Sequence, residues 1–162
     1  MVRARRKNSY TVFSLRTNIW VFLLLVLFFS LGFFISLSFS VLGAVVYLVL
    51  WLVSYIVIYA GACRNCVYYG RQCPIPLEGS CVHHFLKKGE KPFGRSALFW
   101  AIVAYLLRIL VPSFIIFYSQ WLWFGIAYFG IFVLFWGIHL RVTGCPNCVN
   151  INCPLNPDYS ER

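Results

Sequence analysis

The feature that most constrains this chain is an apolar run, Ile19–Ala62, that contains no charged residue. One transmembrane helix needs about 20 apolar residues, so the run is long enough for two helices joined by a tight turn. The turn is expected within Ser36–Gly43, which holds three serines and a glycine, because these residues favour turns and helix ends. The sequence therefore predicts one helix over residues 18–37 and a second over residues 42–59.

A second apolar run, Ser96–His139, repeats this organisation. It predicts a third helix over residues 96–118, a turn near Ser119–Trp121, and a fourth helix over residues 122–139. Together the two runs indicate an all-α integral membrane protein with four transmembrane helices.

Composition supports a membrane environment, because 61% of the residues are hydrophobic and only 11% are charged, against about a quarter in soluble domains. The net charge of +10 lies almost entirely outside the apolar runs, as expected when basic segments stay in the cytoplasm. Both termini are therefore predicted to be cytoplasmic, with the basic tail near lipid headgroups rather than nucleic acid. The chain then divides into a basic tail (1–17), helices 1 and 2 (18–60), a Cys-rich cytoplasmic loop (61–96), helices 3 and 4 (97–140) and a Cys-rich cytoplasmic tail (141–162).

Each pair of predicted helices is followed by a similar cysteine motif. The first, Ala62–Pro74, and the second, Gly144–Pro154, both read Cys-x-Asn-Cys-Val, a short spacer and Cys-Pro. We call them the first and second knuckle. Two crossings return the chain to the side where it began, so the helix hairpins are predicted to form a parallel repeat with both knuckles on one face.

Cytosolic thiols are kept reduced, so paired Cys-x-x-Cys motifs favour metal binding or redox chemistry over a disulfide framework. Two such pairs can complete the tetrahedral site that zinc prefers. In one arrangement, a single zinc site joins the knuckles through Cys63, Cys66, Cys145 and Cys148. Alternatively, Cys63, Cys66, Cys73 and Cys81 form a local site, and Cys145, Cys148 and Cys153 need a further ligand such as His83, His84 or His139.

Iron–sulfur clusters are the main alternative to zinc, because they too are held by thiolates. His83 and His84 are further candidate ligands, since they closely follow Cys81. His139 is interpreted instead as an interfacial side chain or a cation at a helix C-terminus.

Arg108 is the one basic residue inside an apolar run, near the middle of the third helix. An arginine there is costly to insert, so either a partner group is expected, or the side chain snorkels to the interface with a local bilayer defect. No acidic residue lies in a predicted span, which leaves a backbone carbonyl, a hydroxyl such as Ser30 or Ser54, water, lipid or another protein. Pro112 removes the amide that would otherwise bond the carbonyl of Arg108.

The sequence contains no hydrolytic triad, carboxylate pair, phosphate loop or dinucleotide motif, so an autonomous enzyme is not expected. The favoured function is a non-catalytic subunit of a larger membrane complex, with a thiolate zinc site at the cytoplasmic face. An iron–sulfur electron-transfer subunit is the alternative. A soft-metal transporter is less favoured, because no cysteine or internal methionine lies in a predicted span.

Overall fold

The computed structural model describes residues 9–159, except the side chains of Leu15 and Thr17. The beginning of the predicted basic tail (1–8) and the last three residues lie outside this range. The described part is helical and contains no strand. Its α-helices are α1 (Leu15–Phe39), α2 (Val41–Gly61), α3 (Glu78–Phe85), α4 (Arg95–Ser119) and α5 (Leu122–Ile138).

Four of these helices, α1, α2, α4 and α5, are long and apolar enough to cross a membrane. With 25 residues and a rise of 1.5 Å per residue, the helix α4 is longer than the roughly 30 Å hydrocarbon core of a bilayer. Large apolar side chains also face outward, for example Phe117, 76% exposed, and Trp123, 80% exposed. The prediction of an all-α integral membrane protein with four spanning helices is therefore confirmed.

The turn between α1 and α2 is shorter than predicted, because Ser40 alone separates the two helices. Its backbone is extended, and its hydroxyl accepts a 2.9 Å hydrogen bond from the amide of Gly43. This is the usual N-cap arrangement, which satisfies one of the free amides at a helix start. Ser36 remains inside α1, where its hydroxyl donates to the carbonyl of Gly32 at 2.8 Å.

The turn between α4 and α5 is centred on Gln120, whose φ of 52° lies in the left-handed region that ends many helices. Pro112 lies within α4, as predicted. The carbonyl of Arg108 accepts a 3.3 Å hydrogen bond from the hydroxyl of Tyr128 on α5, in place of the amide that Pro112 lacks.

The four long helices pack with α2 against α4 as the most extensive interface, while α1 contacts α2, α4 and α5. Aromatic rings fill the centre. Phe28 of α1 stacks on Tyr128 of α5 with ring centroids 4.7 Å apart, and Trp51 of α2 lies 6.3 Å from Phe28. These contacts place the inward faces of three helices around one apolar core.

The segment predicted as a polar loop over residues 61–96 contains a helix of its own, α3. Each cysteine motif begins with a 3₁₀ turn, at Cys63–Asn65 and at Cys145–Asn147. Before the second motif, α5 continues into a π-turn at His139–Thr143, so six residues separate the end of α5 at Ile138 from Cys145.

The N-terminal segment before α1 runs across both knuckles. The amide of Tyr10 donates to the carbonyl of Asn147 at 2.9 Å, and the amide of Phe13 donates to the carbonyl of Gln72 at 3.1 Å. The described end of the basic tail is therefore packed against the rest of the protein. These contacts also place the N-terminal segment and both knuckles at the same end of the helix bundle.

Candidate functional site

The two Cys-x-x-Cys motifs adopt the same local geometry. In each, the first cysteine opens a 3₁₀ turn and its carbonyl accepts a hydrogen bond from the amide of the second cysteine. The distance is 3.1 Å from Cys66 to Cys63 and 3.3 Å from Cys148 to Cys145. A tight turn of this kind brings two thiols to one side of the backbone, as metal-binding knuckles require.

The knuckles meet around one cavity of about 150 Å³ at the end of the helix bundle. Both contribute all of their cysteines to its lining. The cysteines are Cys63, Cys66 and Cys73 from the first knuckle and Cys145, Cys148 and Cys153 from the second. A cross-contact joins the halves, since the Asn150 amide nitrogen lies 3.8 Å from the sulfur of Cys66. We call this space the thiol cavity.

Burial raises the pKa of several thiols in this cavity. It raises the pKa of Cys66 to about 11, and the nearby Cys148 and Cys153 add to that rise. It also raises the pKa of Cys153 to about 11, and raises the pKa of Cys73 further. Crowded, buried thiols are therefore held in their neutral form, and a bound cation would favour their deprotonation.

Two further polar side chains line the thiol cavity with atoms that lack a partner. His139 is 8% exposed and Asn150 is 2% exposed. Within residues 9–159, Nδ1 of His139 and Oδ1 of Asn150 have no hydrogen-bond partner. Most buried polar atoms in native proteins are satisfied, so such atoms at a cavity wall mark a place where a bound group would fit.

The remaining predicted ligands lie elsewhere. Cys81, on α3, lines a separate apolar groove with Tyr59 and Phe85. His83 and His84 are exposed on the last turn of α3, with ring centroids 3.8 Å apart. A role for these three residues as ligands stays a prediction, but the cavity that gathers the other cysteines does not include them.

No disulfide joins any of the seven cysteines, all of which lie in the described range. Across that range, no group of three or more His, Cys, Asp or Glu side chains is arranged to hold a metal ion. The structure thus gathers thiols around a shared space without focusing them on a single point. Rotation about χ1 is the movement available to a cysteine for reaching such a point.

Arg108 is fully buried beside the thiol cavity. A hydroxyl group and three aromatic rings surround its guanidinium. Its Nε donates a 2.9 Å hydrogen bond to the hydroxyl of Ser54. Three aromatic rings face the guanidinium, with centroids 4.7 Å away in Trp51, 4.7 Å in Tyr55 and 4.5 Å in Tyr105. These distances are typical of cation–π contacts, which gain strength where water is excluded.

The expectation that no acidic group reaches Arg108 is wrong. The Glu78 carboxylate lies 3.4 Å from both terminal guanidinium nitrogens of Arg108, and Glu78 itself is only 4% exposed. Of the two hydroxyls considered from sequence, Ser54 makes the contact, whereas Ser30 is exposed on α1. Sequence placed Glu78 in a polar loop, but α3 carries it back against the helices.

The backbone around Glu78 is shaped to make this approach. Leu77, directly before α3, has a φ of 70°, a left-handed conformation that bulky residues rarely adopt. Gly79 allows close packing, because a Cβ there would lie 2.7 Å from the carbonyl oxygen of Arg71 and 2.9 Å from Cβ of Cys73. Strain of this kind is often found at functional sites.

Glu78 connects the ion pair to the thiol cavity, because its side chain also lines that cavity. Burial raises the pKa of the Glu78 carboxyl, and Arg108 opposes that rise. The positive charge of Arg108 therefore lies one side chain away from the cysteines. The Glu78 carboxylate lies between that charge and the cysteines, and it adds to the rise that burial causes in the pKa of Cys73.

Tyr68 ties three segments together at the same end of the bundle. Its hydroxyl donates to the carbonyl of Tyr10 at 2.7 Å and accepts from the amide of Val149 at 3.1 Å. Phe13 is fully buried beside it, with ring centroids 5.6 Å apart. The N-terminal segment, the first knuckle and the second knuckle are therefore joined through one phenol.

Sequence reasoning missed Glu78 and Tyr68. It named His139 as one of three possible further ligands, but favoured an interfacial side chain or a cation at a helix C-terminus. A signal for Glu78 was present: it is one of only four acidic residues and follows the apolar stretch Pro74–Leu77. Tyr68 has no comparable signal, because its role depends on contacts with segments distant in sequence.

Comparison with known proteins finds no match among protein-family models, curated proteins or solved structures. The features of this protein from which a function can be inferred are therefore the thiol cavity and the ion pair beside it.

Proposed function

We propose that this integral membrane protein holds a thiolate-bound metal centre, zinc in the first instance, between its two knuckles. The observation that carries the proposal is the thiol cavity, in which six cysteines from opposite halves of the chain line one space. Zinc is a borderline-soft ion that accepts thiolate ligands, and structural sites use four of them or three with a histidine.

The metal centre would hold two segments of the chain together. The loop between α2 and α4 and the tail after α5 are too small to fold by apolar burial alone, and small units of this kind usually need a metal or disulfides. A metal shared by the knuckles would fix both segments against the helix bundle. This is the role expected of a non-catalytic subunit, whose exposed apolar helices would contact lipid and other membrane subunits.

The finer architecture belongs to the same proposal. We infer two parallel helix hairpins, α1–α2 and α4–α5, each followed by a knuckle. The matching 3₁₀ turns at Cys63–Asn65 and Cys145–Asn147 support the repeat. The basic residues of the described loop and tail favour the cytoplasm as the compartment that both knuckles face.

An iron–sulfur centre is the second candidate. Iron–sulfur clusters are held by four cysteine thiolates, and the thiol cavity of about 150 Å³ is lined by six cysteines, which is enough for one such cluster. The protein would then pass electrons to a membrane partner.

Metal analysis of the full-length protein, purified anaerobically in detergent, tests both candidates. Zinc in stoichiometric amount with no visible colour supports the first. Iron and acid-labile sulfide, with brown absorption that bleaches on reduction, support the second. A protein that retains neither metal and binds neither on reconstitution would rule out a metal-thiolate function.

Orientation has its own test. A membrane-impermeant thiol reagent applied to intact cells should leave all seven cysteines unlabelled until the membrane is permeabilised. Labelling of Cys73 or Cys153 from outside would place the knuckles in an oxidising compartment and favour disulfides instead.

A further inference from the structure

The imidazole of His139 is held at the wall of the thiol cavity by the end of α5. His139 opens the π-turn His139–Thr143. Its ring stacks nearly parallel to Phe135 at a centroid distance of 6.2 Å, and the edge contact with Trp136 is 5.7 Å. With the ring 8% exposed and packed on two aromatic neighbours, its orientation is fixed by the fold.

The ring also covers the backbone that leads into the second knuckle. A Cβ on Gly144 would lie 2.5 Å from Cε1 and 2.7 Å from Nδ1 of His139, so only glycine leaves room for the imidazole. The amide of Gly144 donates to the carbonyl of His139 at 2.9 Å, which closes the turn. Nδ1 is thereby held directly beside the residue that precedes Cys145.

In spite of this fixed position, Nδ1 has no hydrogen-bond partner among the described residues. A buried histidine with a purely structural role is expected to use its ring nitrogens in hydrogen bonds. A neutral imidazole in the wall of a cavity lined by thiols, with one ring nitrogen unpartnered, instead has the character of a metal ligand.

We propose that His139 is a nitrogen ligand of the shared metal centre, bound through Nδ1 beside thiolates from the two knuckles. The inference rests on the proposed function. On binding, each ligating thiol releases its proton to solvent, whereas the neutral ring of His139 uses its Nδ1 lone pair and keeps its proton on Nε2. No redox step is involved.

Cobalt(II) is a suitable probe, because its visible spectrum reports both thiolate ligation and the exchange of sulfur for nitrogen. The metal-free, full-length protein in detergent would be titrated with Co²⁺ alongside three variants. His139→Phe keeps an aromatic ring for Phe135 and Trp136 but removes the ligand. His139→Cys removes the ring but restores a ligand. His83→Phe, at an exposed position, is the matched control.

We expect His139→Phe to weaken Co²⁺ binding by roughly tenfold or more. His139→Cys should bind Co²⁺ nearly as tightly as the wild type, with its d–d bands moved to longer wavelength by the added thiolate. His83→Phe should match the wild type in both respects. A packing role predicts the opposite order, with His139→Phe tolerated and His139→Cys impaired, and that order would overturn the inference.

The wild-type protein provides a test that needs no folded variant. X-ray absorption at the zinc edge should show one nitrogen at about 2.0–2.1 Å, with imidazole scattering, beside sulfur at about 2.3 Å. A zinc site with sulfur neighbours alone would overturn the role of His139 and leave the proposed function intact. A wild-type protein that binds neither Zn²⁺ nor Co²⁺ would instead remove the proposed function, and this inference with it.

Discussion

The two knuckles share a sequence motif and a 3₁₀ turn, yet different contacts hold them in place. The first is followed by α3, whose Glu78 reaches Arg108 inside the helix bundle. The second is held by amide side chains of its own: Asn147 donates to the carbonyl of Thr143 at 2.8 Å, and Asn156 donates to the carbonyl of Cys148 at 2.8 Å. The first knuckle thus has a charged anchor beside it in addition to neutral hydrogen bonds such as that from Phe13 to Gln72, whereas the contacts named for the second are neutral.

This difference shows which features of a knuckle come from its motif and which come from the residues around it. The motif accounts for the local turn and the direction of two thiols. The placement of each knuckle at the thiol cavity depends on residues outside the matching positions, such as Glu78 for the first and His139 for the second. Equivalent cysteines can therefore differ in how much their loss disturbs the protein.

The largest expected effect comes from removing the thiols of one knuckle. Replacing Cys145 and Cys148 with serine should release most of the tightly bound metal, because two ligands of a shared centre are lost. The loop over residues 61–96 should then become more sensitive to limited proteolysis, as well as the tail. Replacing Cys63 and Cys66 should expose the tail in return.

Cys81→Ser is the matched control, since Cys81 lies in a separate groove and should leave metal content and proteolysis unchanged. If each double substitution removes its own share of metal and exposes only its own segment, the knuckles hold separate sites and the shared centre is wrong.

The charge anchor of the first knuckle should give the next largest effect. Glu78→Gln leaves the buried guanidinium of Arg108 without its anion and should destabilise the protein by about 3 kcal/mol, at the lower end for such pairs because the aromatic rings remain. Adding Arg108→Leu should recover a large part of this loss. Denaturant unfolding in detergent measures both, with the exposed Glu90→Gln as control.

Equal stabilities for Glu78→Gln and Glu90→Gln would show that the pair contributes no anchor. A double variant no more stable than Glu78→Gln alone would show that the two side chains act independently.

Removing the hydroxyl of Tyr68 tests whether it links the two knuckles. Tyr68→Phe removes a donor to Tyr10 and an acceptor for Val149, and should cost about 1–3 kcal/mol because both partners are left unsatisfied. Tyr69→Phe is the control, since its hydroxyl donates at 2.7 Å to Leu86 within the same loop. Only Tyr68→Phe should speed hydrogen exchange in the second knuckle; the same exchange in both variants would contradict the link.

The smallest effect concerns pH. Folding raises the pKa of Cys66 and Cys153 from about 9 to about 11, so these thiols contribute stability that is present below pH 9 and lost as the pH rises through 11. The free energy of unfolding of the metal-free protein should fall by about 0.3 kcal/mol per thiol between pH 8 and pH 9. The variant Cys66→Ala/Cys153→Ala should show a flatter dependence in thermal unfolding. An unchanged slope would mean that neither thiol is buried as described.

Much of the fold follows from local sequence. The four spanning helices could be predicted because hydrocarbon excludes unpaired backbone groups, so long apolar runs must be helical. Their ends could be placed within a few residues from serine, glycine and charge. Sequence also singled out all six cysteines of the thiol cavity, and it singled out Arg108 as a side chain that needs a partner.

The partners themselves were decided by tertiary structure. Glu78 and Arg108 lie thirty positions apart in sequence, and only the left-handed turn at Leu77 and the close packing of Gly79 bring the carboxylate to the guanidinium. His139 lines the thiol cavity from the first position of the π-turn that continues α5. Hydropathy and motif spacing describe neighbours along the chain, whereas a buried charge or ring nitrogen is satisfied by whichever distant group the packing brings within reach.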